Sequence, residues 1–328
     1  MDRKAAFRYA FQSFVLAVLS TLVASPLLAQ EWPTKPITIL VPFSAGGTVD
    51  IVARVMSPGL GRRLGQPVVI ENKSGAGGTI ATAIVARAGA EGYNFLIHDK
   101  AITFSDSLYD RLPYDTVRDI APVAYVGATP SVLVVSNKSG VHTVEEFLAV
   151  ARQKPSTITY GSGGVGGATH LAMELLQSAA NVHLVHVPYK GGPPAIIDLI
   201  AGRIDAMMVS MPPVIPSVQS GKVRAIATSG DQRSAALPSL PTLAEAGVKD
   251  FAFSTWYGFF ASSKTPASIL DRLDAAASSV LSEPEVVSKL RQQGLELRAI
   301  EREQFAQMVR DDVRRWRQII KTLGIKGE

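Results

Sequence analysis

Ile37-Thr38-Ile39-Leu40-Val41-Pro42-Phe43-Ser44-Ala45-Gly46-Gly47-Thr48 is the stretch that decides the fold of this 328-residue chain. Its first half is β-branched and apolar, is bounded by Pro36, and reads as a buried strand over residues 37–43. Its second half is a turn of small residues. Beyond it Val52, Met56, Leu60 and Leu64 fall four apart, which predicts a helix over 49–64. Pro58 and Gly59 lie inside that helix and predict a kink or an early end.

The pattern continues outward. A strand is expected at 67–71, a small-residue loop at 74–79, a helix at 80–88 and a strand at 94–98. A second series follows. Its strands are read at 131–135, 157–160, 183–187, 206–210 and 223–228, and its helices at 144–153 (with Thr143 as N-cap), 169–178 and 194–201. Residues 256–261 lead into helices at 266–281, 284–292 and 302–323. The last carries Phe305, Met308, Val309, Val313, Trp316, Ile319, Ile320 and Leu323 on one stripe, with Arg310, Arg314, Arg315 and Arg317 mostly off it. Strands alternating with helices across short loops indicate an α/β fold with a largely parallel sheet.

Composition narrows the function classes. Hydrophobic residues make up 47% and charged residues 19%, which excludes a disordered chain. The absence of cysteine excludes a disulfide scaffold, a thiol nucleophile and a cysteine zinc site. Net charge is +5, but the basic residues are spread along the chain, so nucleic acid is not expected as a partner. No repeat with a solenoid period is visible. At about 150 residues per domain, two domains are expected. Arg3, Lys4 and Arg8 precede an apolar run over 14–24, and Ala29 is a small residue at a plausible cut. Residues 1–29 therefore read as a signal peptide, the run being shorter than the ~20 residues of a membrane span.

Four glycine- or proline-rich loops each open a helix: 44–48, 74–79, 161–167 and 190–194. Helix starts leave backbone N–H groups without partners and carry about half a positive charge. Such ends suit anions. Gly161, Gly163 and Gly166 match the dinucleotide fingerprint literally, but the next strand ends in Val187-Pro188-Tyr189 without the acid that would hold a ribose. His183 and His186 fall on opposite faces of one expected strand, a poor metal geometry. His170 and Glu174 could share a helix face, and His170 reads best as a satisfied polar residue near a helix start. Gly161-Ser162-Gly163 does not form a hydrolase elbow, and no base can be assigned.

At these loops the sequence resembles the Bug family of periplasmic solute receptors, which serve tripartite tricarboxylate transporters. The stretches that carry the resemblance are Trp32-Pro33-Thr34-Lys35-Pro36-Ile37, Val41-Pro42-Phe43, Gly46-Gly47-Thr48-Val49-Asp50 and Leu64-Gly65-Gln66-Pro67. They continue with Glu71-Asn72 followed by Gly75-Ala76-Gly77-Gly78, and with Leu112-Pro113-Tyr114-Asp115. His186-Val187-Pro188-Tyr189-Lys190-Gly191, Gly221-Lys222-Val223-Arg224-Ala225 and Trp256-Tyr257-Gly258 complete them.

The resemblance implies a two-lobed periplasmic binding protein of the type II class, with its ligand cleft between the lobes. Residues 30–126 with 251–328 would form the first lobe and 127–250 the second. It implies carboxylate ligands, from di- and tricarboxylates to aromatic acids, and handover to a membrane permease of one large and one small subunit. Family ligands are held by backbone groups at the first helix start and at the second lobe's glycine loop. Carried over, these are Phe43, Ser44, Ala45, Gly46, Gly47 and Thr48, then Ser162, Gly163, Gly164 and Gly166. Departures fall where the ligand should sit. His98, Asp99 and Lys100 replace small residues at a strand end, and Val209 and Ser210, followed by Met211, stand where the family often has an acid followed by asparagine. Lys100 is expected either to supply a cation for a second carboxylate or to pair with Asp99 or another acid. Val209 and Met211 should make one wall apolar, and Ser210 should add a donor on closure.

The expectation is a monomeric periplasmic receptor that closes on a carboxylate, with no cofactor, no metal and no reaction. Two rivals use the same cleft. One is a sensor input domain presenting its ligand to a histidine kinase; the other is a hydrolase.

Overall fold

The structure, a computed structural model, describes residues 32–327, so the signal-peptide reading over 1–29 lies outside the described residues. The first series runs β1 (Ile37–Val41), α1 (Thr48–Leu64), β2 (Val68–Asn72), α2 (Thr79–Ala86) and β3 (Asn94–Asp99). Then come β4 (Ile120–Ser136), α3 (Val144–Gln153), β5 (Thr159–Ser162), α4 (Ala168–Ala180) and β6 (Val185–Pro188). Next are α5 (Gly192–Ala201), β7 (Ala206–Ser210), α6 (Met211–Gln219) and β8 (Val223–Thr228). β9 (Ser254–Ser262), α7 (Ala267–Leu281), α8 (Pro284–Gln292) and α9 (Arg302–Leu323) finish the chain.

The strands form one hydrogen-bonded path in the order β2-β1-β3-β9-β4-β7-β5-β6, with β8 also on β4. The sheet is mixed, not largely parallel. β1 pairs β2 and β3 in parallel and β5 pairs β6 and β7 in parallel, but β9 and β4 run antiparallel to their neighbours. β4 joins the two series. Residues 120–130 pair with β9, and from Ser131 onward the strand pairs with β7 on one edge and β8 on the other. The sequence reading caught only the second part of β4. Pro122 and Pro130 interrupt the first part, and bulges at Pro122/Ala124 and Tyr125/Gly127 break its alternation.

Pro58 does not end α1. Ser57 Oγ comes within 3.5 Å of the Arg54 carbonyl that an amide at position 58 would have bonded. Gly59 lets the helix lie close on α7, since a β-carbon there would sit 2.8 Å from Val280 Cγ2. Residues 211–219, three prolines among them, were left without an element by the sequence reading and form α6. Pro212 and Pro213 fall in its first turn, where no N–H is needed. The stripe of α9 packs as its spacing predicts, with Phe305, Val309, Val313, Trp316 and Ile320 buried and Arg314, Arg315 and Arg317 exposed. Burying each such side chain contributes roughly 1.5–3 kcal/mol. Trp316 meets Phe104 and Phe253, and Trp256 Nε1 donates to Asp312 Oδ2 at 2.7 Å, so the helix is fastened to the strand that carries the first series. Among the described residues no helix is long and apolar enough to cross a membrane.

Candidate functional site

The first glycine turn links β1 to α1. Gly46 has φ +79° and Gly47, the N-cap, is extended. Only glycine adopts that positive φ without strain. The Gly47 amide donates to the Ser44 carbonyl at 3.3 Å. The Gly46 amide donates to Asp50 Oδ2 at 2.9 Å, so a side chain from the first turn of the helix reaches back and holds the turn. Asp50 also receives Arg54 Nε and Asn72 Nδ2. Burial opposes its charge, but Arg54, Gly46 and Asn72 together hold its carboxyl below the ordinary value.

The second turn links β5 to α4 and repeats this geometry. Gly166 has φ +76°, Gly167 is the extended N-cap, and the Gly167 amide donates to the Gly164 carbonyl at 3.1 Å. Here the Gly166 amide donates to His170 Nδ1 at 3.2 Å. Nδ1 must therefore carry no proton, which places the ring proton on Nε2, 3.8 Å from Glu174 Oε1. The His170 ring stacks on His186 at 4.0 Å, and His186 stacks on Tyr160 at 4.9 Å. Burial pushes both imidazoles down to about 4. Ser162 is fully buried, and its Oγ lies 2.6 Å from His186 Nε2 and accepts from the Gly164 amide at 3.1 Å.

The two turns meet around a small cavity of about 50 Å³. Phe43, Gly47, Thr48 and Val49 line one side. Gly163, Gly167, Ala168 and Thr169 line the opposite side. Gly192 at the start of α5 also faces the cavity, as do Val209, Ser210 and Pro213 around the start of α6. Four helices thus begin at one cavity, and none of the four has a side-chain cap. The first-turn amides of α1 and α4 have no partner inside their own helix and supply donors here, whereas Pro193 and Pro194 in α5 and Pro212 and Pro213 in α6 leave those starts with positive partial charge but fewer N–H groups. Among the described residues Asp99 is the only charged side chain in the lining. Ser210 Oγ accepts from Tyr257 O–H at 3.1 Å, and Tyr257 is fully buried with its acidity suppressed by that burial. An outer cavity of about 590 Å³ shares Phe43 and Gly163 and is lined by residues 75–78, Tyr109 and residues 188–190. All four glycine or proline loops read from the sequence therefore gather at two adjoining cavities.

The expected site residues divide. Phe43, Gly47, Thr48, Gly163 and Ser210 line the inner cavity, and Gly164 lines the outer one. Ala45 and Gly46 are exposed outside the lining, and the Gly46, Gly163, Gly164 and Gly166 amides are bonded within the chain. Ser44 does not line the cavity; it packs on Gly191, whose β-carbon would lie 3.1 Å from the Ser44 nitrogen. Ser162 turns its hydroxyl to His186. Lys100 stands apart from the cavity. Its Nζ donates to the Ser254 carbonyl at 2.8 Å and lies over the Phe253 ring, and burial lowers its pKa. Its ammonium does not reach the cavity, and it makes its hydrogen bond to a carbonyl while Asp312 and Asp99 act on it as favourable charges. Val209 lines the cavity as expected, whereas Met211 is fully buried in the core against Ser234. Gly167, Gly192 and Asp99, which the sequence places in its anion loops or at a ligand-facing strand end without a role, also line the cavity, as do the unforeseen Val49, Ala168, Thr169 and Pro213. Their signal was position: Ala168 and Gly192 follow directly on a glycine N-cap, and Val49 and Thr169 come one residue later. Among the described residues no cluster of histidine and acid side chains could hold a metal.

Comparison with known proteins agrees with this architecture. The family profile TctC, "Tripartite tricarboxylate transporter family receptor", matches residues 52–325. Protein BugT of Bordetella pertussis is 33% identical over 306 residues, 93% of this chain and 94% of its own. Rpa4515 of R. palustris, solved with adipate, is 34% identical with a TM-score of 0.87, covering 90% of this chain and 99% of its own. MatC of Rhodopseudomonas palustris, solved with bound malate, is 29% identical with a TM-score of 0.84, covering 88% of this chain and all of its own. The fold is that of a two-lobed periplasmic binding protein, as the family resemblance implied, and it superposes on the periplasmic binding protein BugD with a TM-score of 0.87 at 32% identity, covering 90% of this chain and 99% of that one. With the family profile matching residues 52–325 and 93% of its length aligned with BugT, the chain belongs to the tripartite tricarboxylate transporter receptor family.

Proposed function

We propose that this protein is a periplasmic receptor that captures a small carboxylate without transforming it and delivers it to a membrane permease of one large and one small subunit. The observation that carries this reading is the convergence of four uncapped helix starts on one cavity whose lining contains no basic side chain. Peptide amides there would bind the anion, with Thr48, Ala168, Thr169 and Ser210 nearest to hand. The adipate and malate of the solved relatives support the ligand class.

Residues 30–126 with 251–328 would move as one lobe and 127–250 as the other. The change of partners along β4 near Ser131 and the contact of Ser44 with Gly191 support a division that closes over the ligand. A shift from 1:99 to 99:1 in favour of the closed form needs about 5.5 kcal/mol of differential affinity. Hydrogen bonds to a charged group contribute about 1.5–3 kcal/mol each, so two or three made only on closure suffice.

Thermal denaturation against a panel of carboxylates and uncharged sugars tests the reading. Carboxylates should raise the melting temperature and come off unchanged. A rise with sugars alone, or turnover of a bound acid, defeats it. Uptake of the bound acid by cells should require both this protein and the permease pair.

A further inference from the structure

Four positive helix ends and one carboxylate share the inner cavity, and that combination does not suit a ligand that is negative throughout. Asp99 ends β3, is 8% exposed, and reaches the lining while its neighbour His98 is buried behind the strand. Its Oδ1 accepts from the Ala101 amide at 3.0 Å and has His98 Nδ1 3.1 Å away, whereas Oδ2 has no hydrogen bond among the described residues. Lys100 makes no ion-pair contact with it among the described residues, because that ammonium is turned to the Ser254 carbonyl. Beside the hydroxyls of Thr48, Thr169 and Ser210, the wall carries Phe43, Val49 and Val209, placed to cover a short hydrocarbon stem.

We propose that Asp99 selects a small carboxylate that also carries a protonated nitrogen, so that the helix starts hold its acid group and Asp99 Oδ2 accepts from its ammonium. This rests on the receptor reading and names the ligand class within it. A dicarboxylate of equal length would set its second negative charge near Asp99, an unfavourable pairing that acts as selection against it.

Calorimetry on the purified protein tests the assignment. The probes are straight-chain acids of about three to five carbons, each as plain monocarboxylate, dicarboxylate, and α- or ω-amino acid. The tightest binder should be an amino form, ahead of the dicarboxylate of the same length by about tenfold or more. Asp99→Asn, which keeps an acceptor for the Ala101 amide, should remove most of that preference. The proposal is overturned if a dicarboxylate or plain acid binds as tightly, or if Asp99→Asn leaves the ratio unchanged. In both cases carboxylate capture itself stands. Failure of every acid to bind overturns capture and selection together. Should Asp99→Asn not fold, the ranking in the unsubstituted protein decides alone.

Discussion

The turns at Gly46-Gly47 and at Gly166-Gly167 share one backbone and differ in what fastens them. Each has a positive-φ glycine, an extended glycine N-cap, and a side chain four residues after the first glycine that accepts its amide. In the first turn the acceptor is Asp50, charged and tied to Arg54 and Asn72. In the second it is His170, uncharged and stacked on His186. The difference teaches that the glycines here form the scaffold of the anion site more than its surface. Their own amides are occupied, and the amides of the following helical turn are the ones aimed at the cavity.

Substituting the positive-φ glycines should give the largest contrast. Valine at either position meets left-handed strain of about 1–2 kcal/mol. At Gly166 a β-carbon would also come 2.5 Å from Leu108 Cδ1, whereas at Gly46 the nearest atom is 3.7 Å away on Pro193. Overpacking adds about 1–3 kcal/mol. Gly166→Val should therefore lower stability in urea titrations clearly more than Gly46→Val. Equal losses would mean that strain alone matters at both turns.

Acid should separate the turns next. His170 and His186 have folded values of about 4, below the ordinary 6.5, so the unfolded chain binds more protons between those values. Their contribution is complete above pH 6.5 and is lost as pH falls toward 4, on the order of 3 kcal/mol for a shift of that size. Asp50 is shifted in the same direction but from a lower starting point, below 3.8, so its contribution is complete above that value and fades only at lower pH. His170→Gln should flatten the stability profile between pH 6.5 and 4, measured by urea unfolding across pH. An unchanged slope would remove His170 as the sensitive fastener.

Two smaller effects sharpen the same comparison. Asp50→Ala removes the acceptor for Gly46 and Asn72 and should cost about 2 kcal/mol in the same assay. Arg54→Ala removes a half-exposed partner of Asp50 and should cost under about 1 kcal/mol. A larger loss for Arg54→Ala than for Asp50→Ala would show that the ion pair, not the amide bond, holds the first turn.

Much of the fold was legible because its signals are local. The apolar run of β1, the four-residue spacing of α1 and the stripe of α9 each follow from one stretch of chain. The first part of β4 was hidden because Pro122 and Pro130 read as breaks, and only the β9 ladder shows that the strand passes through them on bulges. α6 was hidden because three prolines in nine residues read as a loop. At the site, the loops were found but the donors were placed too early, on amides that Asp50, Ser162, Thr169 and His170 already occupy.

The sequence by itself determined that glycine turns would open helices at the ends of strands, since periodicity and positive-φ glycines act over a few residues. Only the tertiary structure decided that three of those helix starts share one cavity with the proline-opened start of α6, that Asp99 faces it, and that Lys100 leaves it for a carbonyl 154 residues along the chain. Those outcomes depend on strand pairing and on partners far apart in sequence, and no local pattern encodes which of them will meet.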